Sequence, residues 1–275
     1  MLFSSLHKSL LPRSALEDTP SRQDGVSRAM EDEQRLFGCQ VIADTGMYLK
    51  LPHQAVCTAQ VLLQRFYFKR SLVKHDVKSV ALACTWLASK LEECPKRARE
   101  IVTVGARVCE RLTLTCPSSS SSSVLTVMDP FSSKYAKLKA SLVRTERFIL
   151  RAFGFICHVE PAHKYLVVFL KRLGATEVVE FTQDAWNLCN DAHFTPLTCL
   201  RSPEAIACGC IFLAARRRGI PLHEEGDNDD EGDNVTGWWE AFGATIADIQ
   251  EVVTTLLDLY TTTSTPAYHA LTCEP

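Results

Sequence analysis

A chain of 275 residues is long enough for two domains of ordinary size, each with its own hydrophobic core. Its formal net charge of −2 gives no sign of the concentrated basic surface that nucleic-acid-binding proteins carry, so direct nucleic-acid binding is not expected. No apolar run approaches the roughly 20 residues that span a bilayer, and the first residues lack the apolar stretch of a secretory signal, so no membrane association is expected.

The twelve cysteines do not follow a zinc-module or disulfide-framework pattern. No C-x-x-C pair is present, and Cys57, Cys84, Cys208 and Cys210 lie within apolar helical patterns, where thiols behave as small hydrophobic groups. Cysteines scattered over helices in a chain without a secretory signal indicate a reducing compartment. We therefore expect no metal site and no cofactor.

The N-terminal half of the chain divides into a leader and a helical domain. Residues 1–30 mix Ser, Pro, Arg and Asp without periodicity, which predicts a disordered leader. From Glu31 onward apolar residues recur at helical spacing, so the first domain is predicted over residues 31–157. Within this domain a proline followed by six serines begins a flexible insert, which we place at residues 117–130.

The C-terminal half repeats the helical periodicity and predicts a second domain over residues 158–260. Ser202 and Pro203 form a typical N-cap and first-turn pair for a helix in this domain. Residues 223–236 are acidic and contain two glycines, which predicts a disordered loop. Residues 261–275 are predicted to form a loose tail.

The most strongly patterned stretch is the segment from Ser79 to Glu93. It is apolar nearly all round, as is typical of a helix buried at the centre of a bundle. When the sequence is shifted by 126 positions, this segment aligns with a similar segment from Ala205 to Arg216. An internal repeat this long favours two related helical domains over chance similarity between two alanine-rich helices, because flanking features also correspond.

One charged residue interrupts the helix predicted from Ser133 to Phe153, which Gly154 should end. Glu146 lies on the apolar stripe of this helix, where a carboxylate without a partner would cost several kcal/mol. Two interpretations are open at this point. Glu146 forms an internal ion pair, for example with Lys90, or the two residues form a charged spot within a partner-binding surface.

Sequence signatures of enzymes are missing from the chain. There is no G-x-G-x-x-G, P-loop, H-E-x-x-H or G-x-S-x-G motif. His158 and His163 flank Pro161 at a spacing unsuited to one helix face, so we interpret them as ordinary turn and helix-start residues rather than metal ligands. Two helical domains without a recognisable set of catalytic polar residues favour a binding function over catalysis.

At this point the chain from about Glu31 to Tyr260 resembles a cyclin, and most closely the L-type cyclins. The resemblance implies an all-α fold of two tandem cyclin-box domains with about five helices each. The stretches that carry the resemblance are LPHQAVCTAQVLLQRFYFKRSLVKH (Leu51 to His75), LASKLEECPKRARE (Leu87 to Glu100), SPEAIACGCIFLAAR (Ser202 to Arg216) and FGATIADIQE (Phe242 to Glu251).

The resemblance also implies a function and a site. L-type cyclins are regulatory subunits that activate a cyclin-dependent kinase and have no catalytic activity themselves, which implies a nuclear role in transcription by RNA polymerase II and in pre-mRNA splicing. Lys90 and Glu146 match the family residues that contact the mobile C-helix of the kinase, which favours the partner-surface interpretation. Neighbouring contact positions of the family fall on Leu91, Glu93, Arg147 and Phe155.

Two other functional classes are less consistent with the sequence. A tandem cyclin fold of the general-transcription-factor type would bind DNA or transcription proteins, but the near-neutral charge disfavours it. A helical enzyme is disfavoured by the missing motifs.

Overall fold

The computed structural model describes residues 10–114, 128–222 and 237–262, and these residues form α-helices, short 3₁₀ turns and loops without a β-strand. The expectation of an all-α fold is confirmed. The described residues form two units, one of residues 12–159 and the other of residues 160–262 together with residues 10–11. The helices of the N-terminal unit are α1 (Pro20–Gln23), α2 (Arg28–Tyr48), α3 (His53–Lys69), α4 (Val77–Leu91), α5 (Ala98–Leu114) and α6 (Ser133–Phe153).

Helix α4 lies at the centre of the N-terminal unit and packs against α2, α3, α5 and α6. Asp76 caps its first turn by accepting a hydrogen bond from the backbone N–H of Ser79 at 3.1 Å. Most of the helix is buried, including small residues such as Ala81 and Ala88 that allow the neighbouring helices to approach closely. The sequence pattern therefore identified the central helix correctly.

Helix α6 follows the prediction from its first to its last residue. Ser132 accepts a hydrogen bond from the backbone N–H of Tyr135 at 3.2 Å and so caps the N-terminus. Gly154 ends the helix with φ of 59°, in the left-handed region that glycine adopts at little cost. The buried residues of α6 lie on one face and include Glu146, as its sequence position indicated.

The predicted disordered leader is wrong for residues 10–30, while residues 1–9 lie outside the described residues. A 3₁₀ turn spans Arg13–Leu16, and α1 follows with Thr19 as its N-cap. Ser21 is fully buried, and its hydroxyl accepts a hydrogen bond from the backbone N–H of Leu72 at 3.1 Å. Composition could not reveal this order, because it depends on contacts with residues about fifty positions away.

A buried charge network holds this segment to α2. Glu31 is only 1% exposed, and one of its carboxylate oxygens accepts hydrogen bonds from Arg35 Nε at 3.1 Å and Nη2 at 2.8 Å. The other oxygen accepts from Thr19 Oγ1 at 2.7 Å and Arg22 Nε at 3.2 Å. Arg35 also donates to the backbone carbonyl and side-chain oxygen of Gln64, both at 3.1 Å. Every charge in the network therefore has partners.

The C-terminal unit has its own core around a second central helix. Its helices are α7 (Ala162–Arg172), α8 (Val179–Ala192), α9 (Leu197–Leu200), α10 (Pro203–Arg218) and α11 (Ile246–Thr262). Helix α10 packs against the other four helices, in the same way that α4 organises the N-terminal unit. The first residues of these two central helices, Val77 and Pro203, are 126 positions apart, which matches the repeat in the sequence.

Local sequence explains how α10 starts and how closely it packs. Ser202 caps the helix by accepting from the backbone N–H of Ala205 at 3.3 Å, and Pro203 occupies the first helical position, as predicted. Gly209 faces α11 so closely that a Cβ at this position would lie 2.5 Å from Cγ1 of Val252. A side chain at this position would therefore force Val252 or the two helices to shift.

Three predicted flexible segments fall wholly or largely outside the described residues: most of the serine insert (117–130), the acidic loop (223–236) and most of the tail (261–275). In the part of the chain that the structure describes, no helix combines the length and apolarity needed to cross a membrane.

Ten cysteines lie in the described residues, all with free thiols, and nine of them are buried. Burial raises the pKa of Cys57, Cys109 and Cys208 to about 12 in each case. These thiols therefore stay protonated and act as packing groups, as their helical positions indicated.

Candidate functional site

The two residues that the sequence singled out most strongly are in direct contact. Lys90 lies in the last turn of α4, and its Nζ donates to Oε1 of Glu146 on α6 at 2.5 Å. The same ammonium group lies 3.4 Å from the ring centroid of Trp86, one turn earlier on α4. Lys90 is thus held between an aromatic face and a carboxylate, and its position is well defined.

Burial of the pair is uneven, and this bears on both interpretations of Glu146. The side chain of Glu146 is 12% exposed, whereas that of Lys90 is 39% exposed. A carboxylate among the buried residues of α6 needs a partner, and Lys90 supplies one. The internal ion pair is therefore present, and it also borders the molecular surface because Lys90 reaches solvent.

The chain just after α4 is fixed by hydrogen bonds to α3. The carboxylate of Glu92 accepts from Gln54 Nε2 at 2.6 Å and from Thr58 Oγ1 at 2.7 Å. Glu93 then adopts a left-handed conformation with φ of 53°, which is uncommon for a residue other than glycine. Leu91 and Glu93 are both exposed on either side of Glu92, so the structure presents their side chains to solvent.

The chain after α6 is fixed in a similar way. Phe155 follows the left-handed Gly154 with φ of 63°, and its side chain is 73% exposed. Helix α3 holds this turn on both sides, because Lys69 donates to the carbonyl of Ala152 at 3.1 Å and Arg65 donates to that of His158 at 2.8 Å. An exposed phenylalanine in a strained backbone conformation points to a functional constraint.

Further apolar side chains are exposed on α6 and just beyond it, namely Val143, Phe148 and Ile156. The ring of Phe148 packs edge-on against His75 at a centroid distance of 5.7 Å. Burial, aided by the positive charges of Arg70 and Lys74, lowers the pKa of His75. The imidazole is therefore favoured in its neutral form and acts as an aromatic support for Phe148.

The six candidate residues come from two places in the unit. Lys90, Leu91 and Glu93 come from the C-terminal end of α4 and the residues after it, and Glu146, Arg147 and Phe155 come from α6 and the turn that follows it. Lys90 and Glu146 are brought into contact, and the other four are exposed.

Sequence reasoning missed two kinds of residue in this region. Glu92 anchors the end of α4, but its partners lie on another helix and are not visible from local spacing. Phe148 and Ile156 were not singled out because apolar residues in or near a helix are usually buried. The apolar residues that continue past Gly154 were the feature of the sequence that could have indicated an exposed apolar surface.

Comparison with known proteins identifies the family. Residues 9–156 match the family description "Cyclin, N-terminal domain", which is more than half of the chain.

The chain belongs to the cyclin family.

Its relatives include "Cyclin-L1-1" of Oryza sativa subsp. japonica, to which it is 42% identical over 94% of its own length and 56% of the relative's length. It is also 37% identical to human "Cyclin-L2" over 93% of its length and 46% of the relative's. This cyclin chain therefore spans about half the length of the curated relatives that it matches.

Solved structures agree with the cyclin fold. A chain of the yeast RNA Pol II CTD kinase CTDK-1 complex is similar with a TM-score of 0.69 at 14% identity, over 93% of this chain and 74% of that chain. A chain of the CAK complex of Chaetomium thermophilum is similar with a TM-score of 0.58 at 11% identity, over 85% and 65% of the two chains. At such low identity these similarities concern the fold alone.

Proposed function

We propose that this cyclin chain binds and activates a cyclin-dependent kinase of the transcription and splicing branch. Members of the family are regulatory subunits and are not themselves catalytic. In this proposal residues 31–157 form the cyclin box that contacts the kinase and residues 158–260 form the second box. The kinase supplies all of the catalytic groups.

The observation that carries the proposal is the ion pair between Lys90 and Glu146 at the edge of the core. Its charged groups are oriented by Trp86 and by the packing of α4 against α6, so little conformational entropy is lost when a partner binds. Exposed apolar side chains at Leu91 and Phe155 provide anchors of the kind that dominate binding energy at interfaces.

These side chains suit the surface of an amphipathic helix. The C-helix of a kinase carries the glutamate that must pair with the ATP-binding lysine before phosphoryl transfer can proceed. Contacts from Lys90, Glu146 and the neighbouring anchors would hold this helix in its inward position. The cyclin would thereby complete the Lys–Glu pair of the kinase and release its activation loop.

Similarity to named relatives supports the assignment to transcription and splicing. The curated relatives are called Cyclin-L1 and Cyclin-L2, and the resemblance to L-type cyclins implies a role in transcription by RNA polymerase II and in pre-mRNA splicing. A cyclin with such a partner would act in the nucleus.

Co-expression of the full chain with candidate transcription-linked kinases tests the proposal. Lys90→Glu and Glu146→Ala are compared with Lys134→Glu, which reverses a charge in the exposed Lys134–Glu110 pair between α6 and α5. Removing one partner of a charge pair that becomes buried at an interface costs about 2–5 kcal/mol. We therefore expect kinase binding by the first two variants to be weakened at least tenfold, with kinase activation lost in parallel.

Far-ultraviolet circular dichroism separates loss of binding from loss of folding. Normal helicity together with lost kinase binding in Lys90→Glu and Glu146→Ala supports the proposed surface. Normal activation by both folded variants would instead make the pair purely structural. If the wild-type chain activates none of the kinases, the proposed function itself fails.

A further inference from the structure

Three side chains with metal-binding atoms meet inside the C-terminal unit. His163, Cys189 and His193 each offer one nitrogen or sulfur atom, and these atoms all lie within 4.8 Å of one another. The residues are 6%, 0% and 1% exposed. Three such side chains together are unusual in the interior of a unit whose buried residues are mostly apolar.

The positions of the three residues follow from the local fold. Cys189 and His193 are four residues apart at the C-terminal end of α8, so their side chains lie on the same face. His163 is the second residue of α7, and the two helices pack against each other. The cluster therefore joins the beginning of α7 to the end of α8.

Hydrogen bonds orient both imidazole rings. Nδ1 of His193 lies 2.8 Å from the carbonyl oxygen of Cys189, and Nε2 of His163 lies 2.8 Å from Oδ1 of Asn190. A carbonyl oxygen only accepts, so each of these ring nitrogens carries the proton. In a neutral imidazole the second nitrogen then carries a lone pair. Histidines that bind metals almost always have their other N–H bound to a carbonyl or carboxylate in this way.

We propose that His163, Cys189 and His193 form a zinc site, with one ring nitrogen from each histidine and Sγ of Cys189 as ligands. Zinc accepts mixed nitrogen and thiolate ligands and tolerates three protein ligands with water in the fourth position. The usual zinc bond lengths require ligand atoms roughly 3.3–3.6 Å apart, so a separation as long as 4.8 Å shortens by roughly 1.2–1.5 Å on binding. The Cys189 thiol loses its proton to solvent as the Zn–S bond forms.

The alternative is a pair of ordinary core histidines. The two rings are stacked at a centroid distance of 5.1 Å, and His163 also contacts Trp186 at 4.6 Å, so aromatic packing alone accounts for part of the arrangement. Aromatic packing alone does not require three metal-binding atoms to lie within 4.8 Å of one another. The two interpretations therefore differ in whether the full chain binds one metal ion tightly.

Metal titration of the full chain, stripped with a chelator and kept reduced, tests the site directly. We expect one zinc ion per chain by elemental analysis, with binding that survives competition by a weak chelator. At free zinc about 100-fold above the dissociation constant, the Tm of the C-terminal unit, which has about 100 residues, should rise by roughly 10–20 °C. Cobalt substituted for zinc should give the visible bands of a tetrahedral site and a thiolate-to-cobalt charge-transfer band.

Variants distinguish this site from the other thiols of the chain. Cys189→Ala and His193→Asn should lose tight zinc binding and the thiolate–cobalt band. Cys208→Ala, which removes an equally buried cysteine on α10, should bind zinc like the wild type. X-ray absorption on the zinc-loaded wild type gives a readout that needs no variant, and it should report one sulfur and two imidazoles around the metal.

Several results would overturn the proposal: zinc binding only at high micromolar concentration, equal binding by Cys189→Ala, or a zinc shell with two or more sulfurs. Tight binding of Cu(I) without binding of Zn²⁺ would also refute the zinc assignment. None of these measurements involves a kinase, so the proposal stands or falls independently of the proposed function.

Discussion

Replacing Glu31 with glutamine should destabilise the N-terminal unit strongly. Glu31 and Arg35 are almost completely buried, and the carboxylate accepts hydrogen bonds from three side chains, those of Thr19, Arg22 and Arg35. Breaking a buried ion pair by removing one charge costs about 3–5 kcal/mol, because the remaining charge is left without compensation. Arg35 keeps its bonds to Gln64, so we expect the lower end of this range.

Chemical denaturation of the full chain, followed by hydrogen exchange in α1 and α2, measures the effect where it arises. Local readout is needed because a chain with two units need not unfold in one step. Asp32→Asn is the matched control, since Asp32 pairs with Arg28 at 3.7 Å on the exposed side of the same helix. Its expected cost is about 0.5 kcal/mol or less.

A double variant sharpens the test. Replacing Glu31 and Arg35 together by leucine and methionine removes the most deeply buried pair and should recover part of the lost stability, because well-packed apolar residues often replace a buried ion pair without loss. Arg22 loses Glu31 in this variant but keeps its bond to the carbonyl of Glu17. A Glu31→Gln variant that is as stable as Asp32→Asn would refute the reasoning, since the network would then contribute no more than a surface pair.

Three further results are expected. Phe155→Gly should relieve left-handed strain worth about 1–2 kcal/mol, and the greater entropy of glycine in the unfolded chain offsets this gain. Stability measured by denaturation should therefore not fall, while kinase binding should weaken. A marked loss of stability would contradict this reasoning. His75 has a pKa lowered by burial from its ordinary value of 6.5, so its contribution to stability is fully present above 6.5 and is lost as pH falls from there through the lower pKa of the folded state. Melting curves of His75→Phe should therefore show a smaller loss of Tm between pH 7.5 and 5.5, and parallel curves would argue against the assignment. Gly209→Ala should lower the free energy of unfolding by about 1–3 kcal/mol, because the added methyl group overpacks against Val252. Denaturation measures this change, and an unchanged midpoint would mean that α10 and α11 can separate freely.

Periodicity and capping were enough to locate the main elements of the fold. The bounds of α6, the caps Asp76 and Ser202, and the repeated central helices all follow from local spacing, because a helix is specified by residues three or four positions apart. Lys90 and Glu146 could be singled out because each places a charge at the edge of an apolar pattern. Family resemblance then suggested that they belong to one site.

Features that depend on distant contacts could not be predicted. The order of residues 10–30 rests on bonds such as that between Ser21 and Leu72. Local spacing places Cys189 and His193 on one face, but only the packing of α7 against α8 adds His163. The left-handed conformation of Phe155 carries no sequence signal, because glycine rather than phenylalanine is expected there.

The reactivity of the cysteine thiols of this cyclin towards oxidants depends on whether the protein is folded. In the native protein most of the cysteines are shielded, and several have a raised pKa, so oxidants and alkylating reagents react with them slowly. Unfolding exposes them together as ordinary thiols, which can then cross-link with one another or with other chains. Without a reductant, brief heating that unfolds the chain would therefore lead to irreversible cross-linking through disulfides. The rate at which the buried thiols are labelled by an alkylating reagent would measure how often each unit opens.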